Sequence, residues 1–261
     1  MSFQFLLVER RGAVEYVTLN RPDVRNAFNE HVIADLTEWA ARAHGDPGLR
    51  AVVFAGAGKV FSAGADAAWM SKMAGYSREE NVRDAEAGAR MFEAINTVPV
   101  IVIARIHGAA LGGGCGLAAV CDIVVADEAA TFGFTETKLG ILPAMISPYV
   151  LQKIGASAAR ELFLTGMRFD TARAKEIDLV HAVVPADNLD TTIDRYVREA
   201  LSAAPTAVAR AKALIPRVLG RPTMEVMGMT TEAIAAQRVS AEGHDGLKAF
   251  LAKGRPGWVT D

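Results

Sequence analysis

The sequence predicts an α/β architecture with substantial parallel pairing. Three observations carry this. Short apolar runs of the kind buried on both faces (AVVFAG from Ala51, VPVIVIARI from Val98, DIVVAD from Asp122) alternate with segments of helical periodicity. A glycine run, Gly112-Gly113-Gly114, turns one such strand into an apolar helix, GGGCGLAAVC. Beyond about Pro143 the character becomes largely helical.

Taken in order, the chain opens with alternation in FLLVERRG and AVEYVTLN, and Arg11-Gly12 reads as the hairpin turn between them. NRPDVRNAF is a loop, with a turn at Pro22-Asp23 and cap-like Asn26 and Asn29. From Glu30 to Ala43, Val32, Ile33, Leu36, Trp39 and Ala40 recur on one helical face. AVVFAG reads as a strand, and Phe61–Met70 (FSAGADAAWM) as a small-residue turn. Arg78 to Ile95 is helical, VPVIVIARI a strand, GGGCGLAAVC a helix and DIVVAD a further strand. YVLQKIG, AARELFLTG, ARAKEIDL, LDTTIDRYVREALSA and TTEAIAAQRVSAEGHDGLKAFLAKG complete a helical C-terminal third. No internal repeat or low-complexity linker is visible. The expected division is a core over 1–200 and a helical oligomerisation region over 201–261.

Bulk composition excludes several classes. The 261 residues are 51% hydrophobic and 22% charged, which fits a globular domain with a sizeable core. A net charge of −2 with scattered Lys and Arg gives no general attraction for nucleic acid or anionic membrane. The N-terminal MSFQFLLVERR lacks a signal-peptide pattern, and Arg105 and His107 interrupt the longest apolar run, so no membrane span is expected. Cys115 and Cys121 make no disulfide framework and read as core thiols. A cytoplasmic location is the expectation. The five histidines show no metal-ligand spacing.

The glycine-rich turns fit neither the dinucleotide fingerprint, nor a phosphate loop (Gly58-Lys59-Val60 lacks its Ser or Thr), nor the Gly-x-Ser-x-Gly elbow. Two readings remain for the Gly run: close packing of a strand–helix turn, or presentation of bare backbone N–H groups. Two such donors converging on one oxygen make an oxyanion hole. Glu136 lies between the apolar stretches TFGF and LGIL. It is either a surface carboxylate or one whose partial burial raises its pKa toward an acid–base range.

Five motifs in order over essentially the whole chain carry a resemblance: NRPDVRNAFN, FSAGADAAWM, HGAALGGGCGLAAVCDIVVA, FGFTETKLGILP and GLKAFLAKGRPGW. The chain resembles the crotonase family, the enoyl-CoA hydratase/isomerase superfamily. The resemblance implies a crotonase-like spiral of ββα units with a helical C-terminal trimerisation region, and a homotrimer or dimer of trimers. It implies an acyl-CoA substrate and no cofactor beyond the CoA moiety. Ala65 and Gly113 match the two oxyanion-hole donors, and Glu136 matches a catalytic glutamate. Ala63, Ala65 and Asp66 match the positions that hold the adenine of CoA, largely through main-chain atoms. Arg25 is placed to meet CoA phosphate or pantetheine, and Phe250 and Lys253 match positions reaching the CoA of a neighbouring subunit. For Arg25 and Lys253 a solvated surface charge is the alternative.

The sequence departs from the family pattern at Gly116, where a typical hydratase carries its second glutamate. Asp66 and Glu86 are the acids that could substitute. Hydration of a 2-enoyl-CoA is the first expectation. AMISPYVLQKIG, from Ala144, is similar to bacterial methylglutaconyl-CoA hydratases, with Met145 and Ile146 shaping the acyl pocket or else packing a helix start. A Δ3-Δ2-enoyl-CoA isomerase relying on a single glutamate is the alternative. A catalytically silent CoA- or RNA-binding protein is the alternative of another class. Its RNA form is disfavoured because the early helix NEHVIADLTEWAARAH carries few basic residues.

Overall fold

The computed structural model describes residues 3–259. Its elements run β1 (Leu6–Arg11), β2 (Val14–Leu19), α1 (Glu30–His44), β3 (Ala51–Gly56), α2 (Ala67–Met73), α3 (Arg78–Asn96), β4 (Ile101–Ile106), β5 (Ala109–Leu111), α4 (Gly113–Val120), β6 (Ile123–Asp127) and β7 (Thr131–Gly133). They continue with α5 (Ser147–Thr165), β8 (Arg168–Asp170), α6 (Thr171–Glu176), β9 (Ala182–Val184), α7 (Leu189–Ser202), α8 (Pro205–Val218), α9 (Thr223–Arg238) and α10 (Ala241–Leu251).

A six-stranded sheet has the order β1-β2-β3-β4-β6-β9, antiparallel only between β1 and β2. A smaller sheet has the order β5-β7-β8. Isolated parallel bridges, Ser62 to Ala110 and Phe28 to Ala65, extend the small sheet's ladder backward along the chain. Each turn of the chain thus lays one strand in the large sheet and one short rung in the small one, then adds a helix. This is the expected spiral of ββα units.

The parallel strands are buried on both faces. Val52 and Phe54 of β3 join the main core with Leu36, Trp39 and Met91, while Ala51 and Val53 face Leu189, Ile193 and Val197 of α7. Two of the long helices, α1 and α3, begin where side chains cap them. Asn29 accepts from the Val32 N–H at 3.0 Å, and Ser77 and Glu80 form a capping box on α3. Trp39 meets Phe54 edge-on at 4.8 Å and donates to Glu15 at 2.9 Å.

Three expectations need correction. The hairpin turn is Gly12-Ala13, because Arg11 pairs with Val14 and the left-handed residue is Gly12 (φ 59°). The C-terminal third is not purely helical: β8 and β9 each close one sheet. The spiral's last helix, α7, packs under the large sheet and ends at Ser202, and α8–α10 follow. Asn26 is no cap. It is buried with φ 54°, and its side chain accepts from Arg21 N–H and donates to the Ala57 and Val60 carbonyls.

Candidate active site

The Ser62–Ala110 bridge sets the register of the site. Three residues on from each partner lie Ala65 and Gly113. Between them the backbones almost touch: a Cβ on Gly64 (φ 93°) would sit 2.9 Å from the Leu111 carbonyl oxygen. Gly112 N–H donates to Gly133 O, Phe28 N–H to Gly64 O, and Asp66 N–H to Phe28 O. The N–H groups of Ala65 and Gly113 have no acceptor among the described residues. Two unpaired donors on neighbouring rungs, one opening helix α4, are suited to hold a developing oxyanion. No side chain fits at 113, because a Cβ there would meet Phe28 Cδ2 at 2.9 Å.

Several side chains brace the first donor. Ser62 is fully buried, donates to Asn26 O at 2.9 Å and accepts from Gly64 N–H at 3.3 Å. Asp66 caps α2 through the Ala68 and Trp69 N–H groups and pairs with Arg21 at 2.8 Å. Arg21 also donates to Ala27 O at 2.7 Å and lies over the Phe5 ring. Burial opposes ionisation of Asp66, yet Arg21 and the two cap bonds hold its carboxyl below the ordinary value. Sequence alone assigns no role to Arg21 or Ser62 and suggests only a cap for Asn26. The only local signal was a cluster of short polar residues beside Gly and Pro.

Glu136 arrives from the other side. It opens a 3-10 turn, Glu136–Leu139, which Gly140 closes in the left-handed region. Phe134 anchors the approach against Phe163 (5.0 Å, edge-on) and Phe169 (5.9 Å), and Thr137 donates to Phe163 O at 2.8 Å. The carboxylate comes to rest over the start of α4: its Oε1 is 3.2 Å from where a Gly112 Cβ would project. Its Oε2 is buried and unpartnered among the described residues. Burial raises the Glu136 pKa, partly countered by its own backbone N–H. Burial thus favours the protonated form of this carboxyl more than in an exposed glutamate.

Gly116, one turn beyond Gly112, is covered by Ile146 and Phe92. Neither proposed substitute acid is available there. Asp66 is tied to Arg21, and Glu86 is exposed and paired with Arg90 at 2.5 Å. The remaining predicted positions lie as follows. Arg25 is exposed with φ 55°, its carbonyl accepting from Ala63 N–H, and it forms no ion pair among the described residues. The Ala63 and Asp66 N–H groups are engaged in the fold, and the Asp66 carbonyl accepts from Met70 N–H. Phe250, 80% exposed, and Lys253, in the left-handed region, lie at the end of α10, which packs on α9. Among the described residues no contact joins them to Glu136.

Among the described residues no group of His, Cys, Asp and Glu could hold a metal ion, and no helix is long and apolar enough to cross a membrane. Both cysteines are buried and free.

The geometry agrees with what the chain is similar to. A short-chain-enoyl-CoA hydratase of Clostridium acetobutylicum is 31% identical over 97% of this chain and 97% of its own length. The crystal structure of an enoyl-CoA hydratase from Shewanella pealeana superposes with a TM-score of 0.95 at 36% identity, over 98% of this chain and 96% of that one. That of an enoyl-CoA hydratase/isomerase from Marinobacter aquaeolei gives 0.92 at 34% identity, over 98% and 100%. The family model for enoyl-CoA hydratase/isomerase matches residues 9–261, and the chain belongs to that family of enzymes.

Proposed function

We propose that this enzyme adds water across the 2,3 double bond of an enoyl-CoA thioester, with 3-methylglutaconyl-CoA or another branched acyl-CoA as substrate. One observation carries the reading: the unpaired Ala65 and Gly113 N–H groups flank the place where Glu136 presents a buried, unpartnered oxygen. The thioester oxygen accepts from both N–H groups. Negative charge then grows on that oxygen as an enolate forms, where the donors and the α4 dipole act on it most strongly. Glu136 takes a proton from water as its oxygen bonds to C3, and returns a proton to C2. The Met145–Ile146 segment, within the stretch AMISPYVLQKIG that is similar to bacterial methylglutaconyl-CoA hydratases, supports the branched-acyl choice.

The isomerase reading has a specific observation in its favour. With Gly116 covered by Ile146, a single carboxylate serves the site, and one carboxylate suffices to move a proton from C4 to C2. The C-terminal helices leave Met224, Phe250 and Leu251 highly exposed, which supports assembly into a homotrimer or dimer of trimers. In such an assembly Phe250 and Lys253 would meet a neighbour's CoA, while Arg25 would reach the CoA of its own subunit.

The test is turnover of crotonyl-CoA and 3-methylglutaconyl-CoA by wild type and Glu136→Gln, with products identified by mass and chromatography. Hydration that falls by about 10²–10⁴ in the variant supports the reading. Absent hydration with shift of a 3-enoyl-CoA double bond selects the isomerase.

A further inference from the structure

The segment Met145-Ile146 is seated in two glycine notches on two different helices. On α3, a Cβ at buried Gly88 would lie 2.8 Å from Met145 Sδ. On α4, a Cβ at Gly116 would lie 2.2 Å from Ile146 Cγ2, 3.0 Å from Ile146 Cβ and 3.1 Å from Phe92 Cζ. Contacts below about 3 Å exclude a side chain unless the neighbour moves. Ile146 cannot move freely: it is 2% exposed, belongs to the main core, and immediately precedes α5.

Gly112 is the non-helical residue (φ 48°) that precedes α4, and Gly116 lies in the first turn of that helix. Glu136 covers the first and Ile146 the second. The absence of a second carboxylate is therefore not an empty place. A branched apolar side chain from another part of the chain occupies it.

We propose that Ile146 is the specificity-determining residue of this site: seated against Gly116, it bars a second acid–base group and confines proton transfer to Glu136. The proposal rests on the hydratase/isomerase reading of the site. In hydration, the proton leaving water passes to Glu136 as the C3–O bond forms, and the proton reaching C2 leaves Glu136. In the isomerisation, the C4–H bond breaks toward Glu136, and the same carboxyl delivers a proton to C2. Either cycle returns Glu136 to its starting state, and neither requires a group at 116. Ile146 is too deeply buried to act by contact with solvent or bulk water. Its effect is to fill the volume that a side chain at 116 would need.

The experiment is a stability and activity cycle on the full chain: wild type, Gly116→Glu, Ile146→Ala and the double variant. In the wild-type background, G116E should lower Tm by roughly 5–10 °C, since overpacking a tight site is costly. In the I146A background the same change should lower it by less than half as much, because the glutamate stem takes the vacated space. An equal Tm loss in both backgrounds overturns the proposal, whether or not the enzyme turns over any chosen substrate. The second readout is the ratio of crotonyl-CoA hydration to 3-hexenoyl-CoA isomerisation. It should rise at least about tenfold in the double variant over I146A, as a second carboxylate enters the site. An unchanged ratio also overturns the proposal. A wild type inert toward both substrates would instead overturn the functional reading, leaving the Tm comparison to decide the role of Ile146.

Discussion

Asp66→Ala should unfasten the loop that presents the first oxyanion donor. The carboxylate has two jobs in the structure. It caps α2 through bonds of 2.7 and 3.3 Å, and it neutralises Arg21 at 2.8 Å with both side chains largely buried (8% and 14% exposed). Loss of an N-cap costs about 1 kcal/mol. Stranding a buried charge costs about 3–5 kcal/mol. Arg21 keeps its bond to Ala27 O and its place over Phe5, so the lower end applies. The sum is about 4 kcal/mol, or roughly 8–16 °C in Tm for a domain of this size. Urea titration at fixed protein concentration measures the first number, and fixed concentration matters because assembly would contribute to apparent stability. Ala65 immediately precedes Asp66 in the chain, so kcat should fall as well, by up to about 10²–10³ if the Ala65 N–H is lost entirely as a donor. Arg21→Ala should reproduce most of both effects, and the double variant should be far from additive. A D66A protein within 1 kcal/mol of wild type and undiminished in kcat would refute the idea that this pair positions the hole. The pH dependence has a definite sign. The folded-state pKa of Asp66 lies below its unfolded value, so its contribution is present above about pH 4 and disappears as pH falls through the folded value.

Other perturbations have equally definite outcomes. Gly64→Ala places a side chain at φ 93° and 2.9 Å from Leu111 O, so it should cost at least about 1–3 kcal/mol and cut kcat sharply. Gly140→Ala, also left-handed but facing open space, is the control: it should lose comparable backbone energy and little of the packing. Glu136→Gln should melt at or above the wild-type temperature at pH 7 while losing activity, since burial disfavours the carboxylate; a marked destabilisation would contradict that burial argument. His181 accepts from Val124 N–H at 2.9 Å, and its own carbonyl accepts from Lys175. Burial, then Lys153 and Lys175, depress its pKa against the opposing pull of Asp178 and Asp122. Its stabilising effect should therefore be complete above about pH 6.5 and decline as pH falls below that value, until the folded imidazole protonates. His181→Gln should flatten this part of the melting profile, as followed by circular dichroism.

Long elements were legible because burial on one face leaves a period. The stripe Val32, Ile33, Leu36, Trp39 and Ala40 marked α1, and the doubly buried AVVFAG marked β3. The rungs β5, β7 and β8 were not, because three residues carry no period and their pairing is made by stacking of successive spiral turns. Ala65, Gly113 and Glu136 were found through motifs, while what holds them came only from contacts distant in sequence. Asn26 bonding to Val60, Arg21 pairing with Asp66, and Ile146 filling the notch at Gly116 leave no local trace. Gly116 itself was visible as a departure. That the gap was filled from residue 146 was not.

The bridge between Ser62 and Ala110 has a consequence beyond placement. Neighbouring strands in a sheet lie about 4.8 Å apart, a spacing set by hydrogen bonding between peptide groups and independent of side chains. Ala65 and Gly113 follow that bridge at equal offsets, so backbone pairing brings the two donors to the same end of neighbouring rungs. The pairing of these two turns sets the register of the donors, and the Asp66–Arg21 pair holds the first turn in place. The same arrangement makes the grip all-or-none in folding. Until the turn carrying residue 62 has docked on the turn carrying residue 110, no pair of donors exists, and the onset of turnover during refolding would date the closing of the spiral's middle.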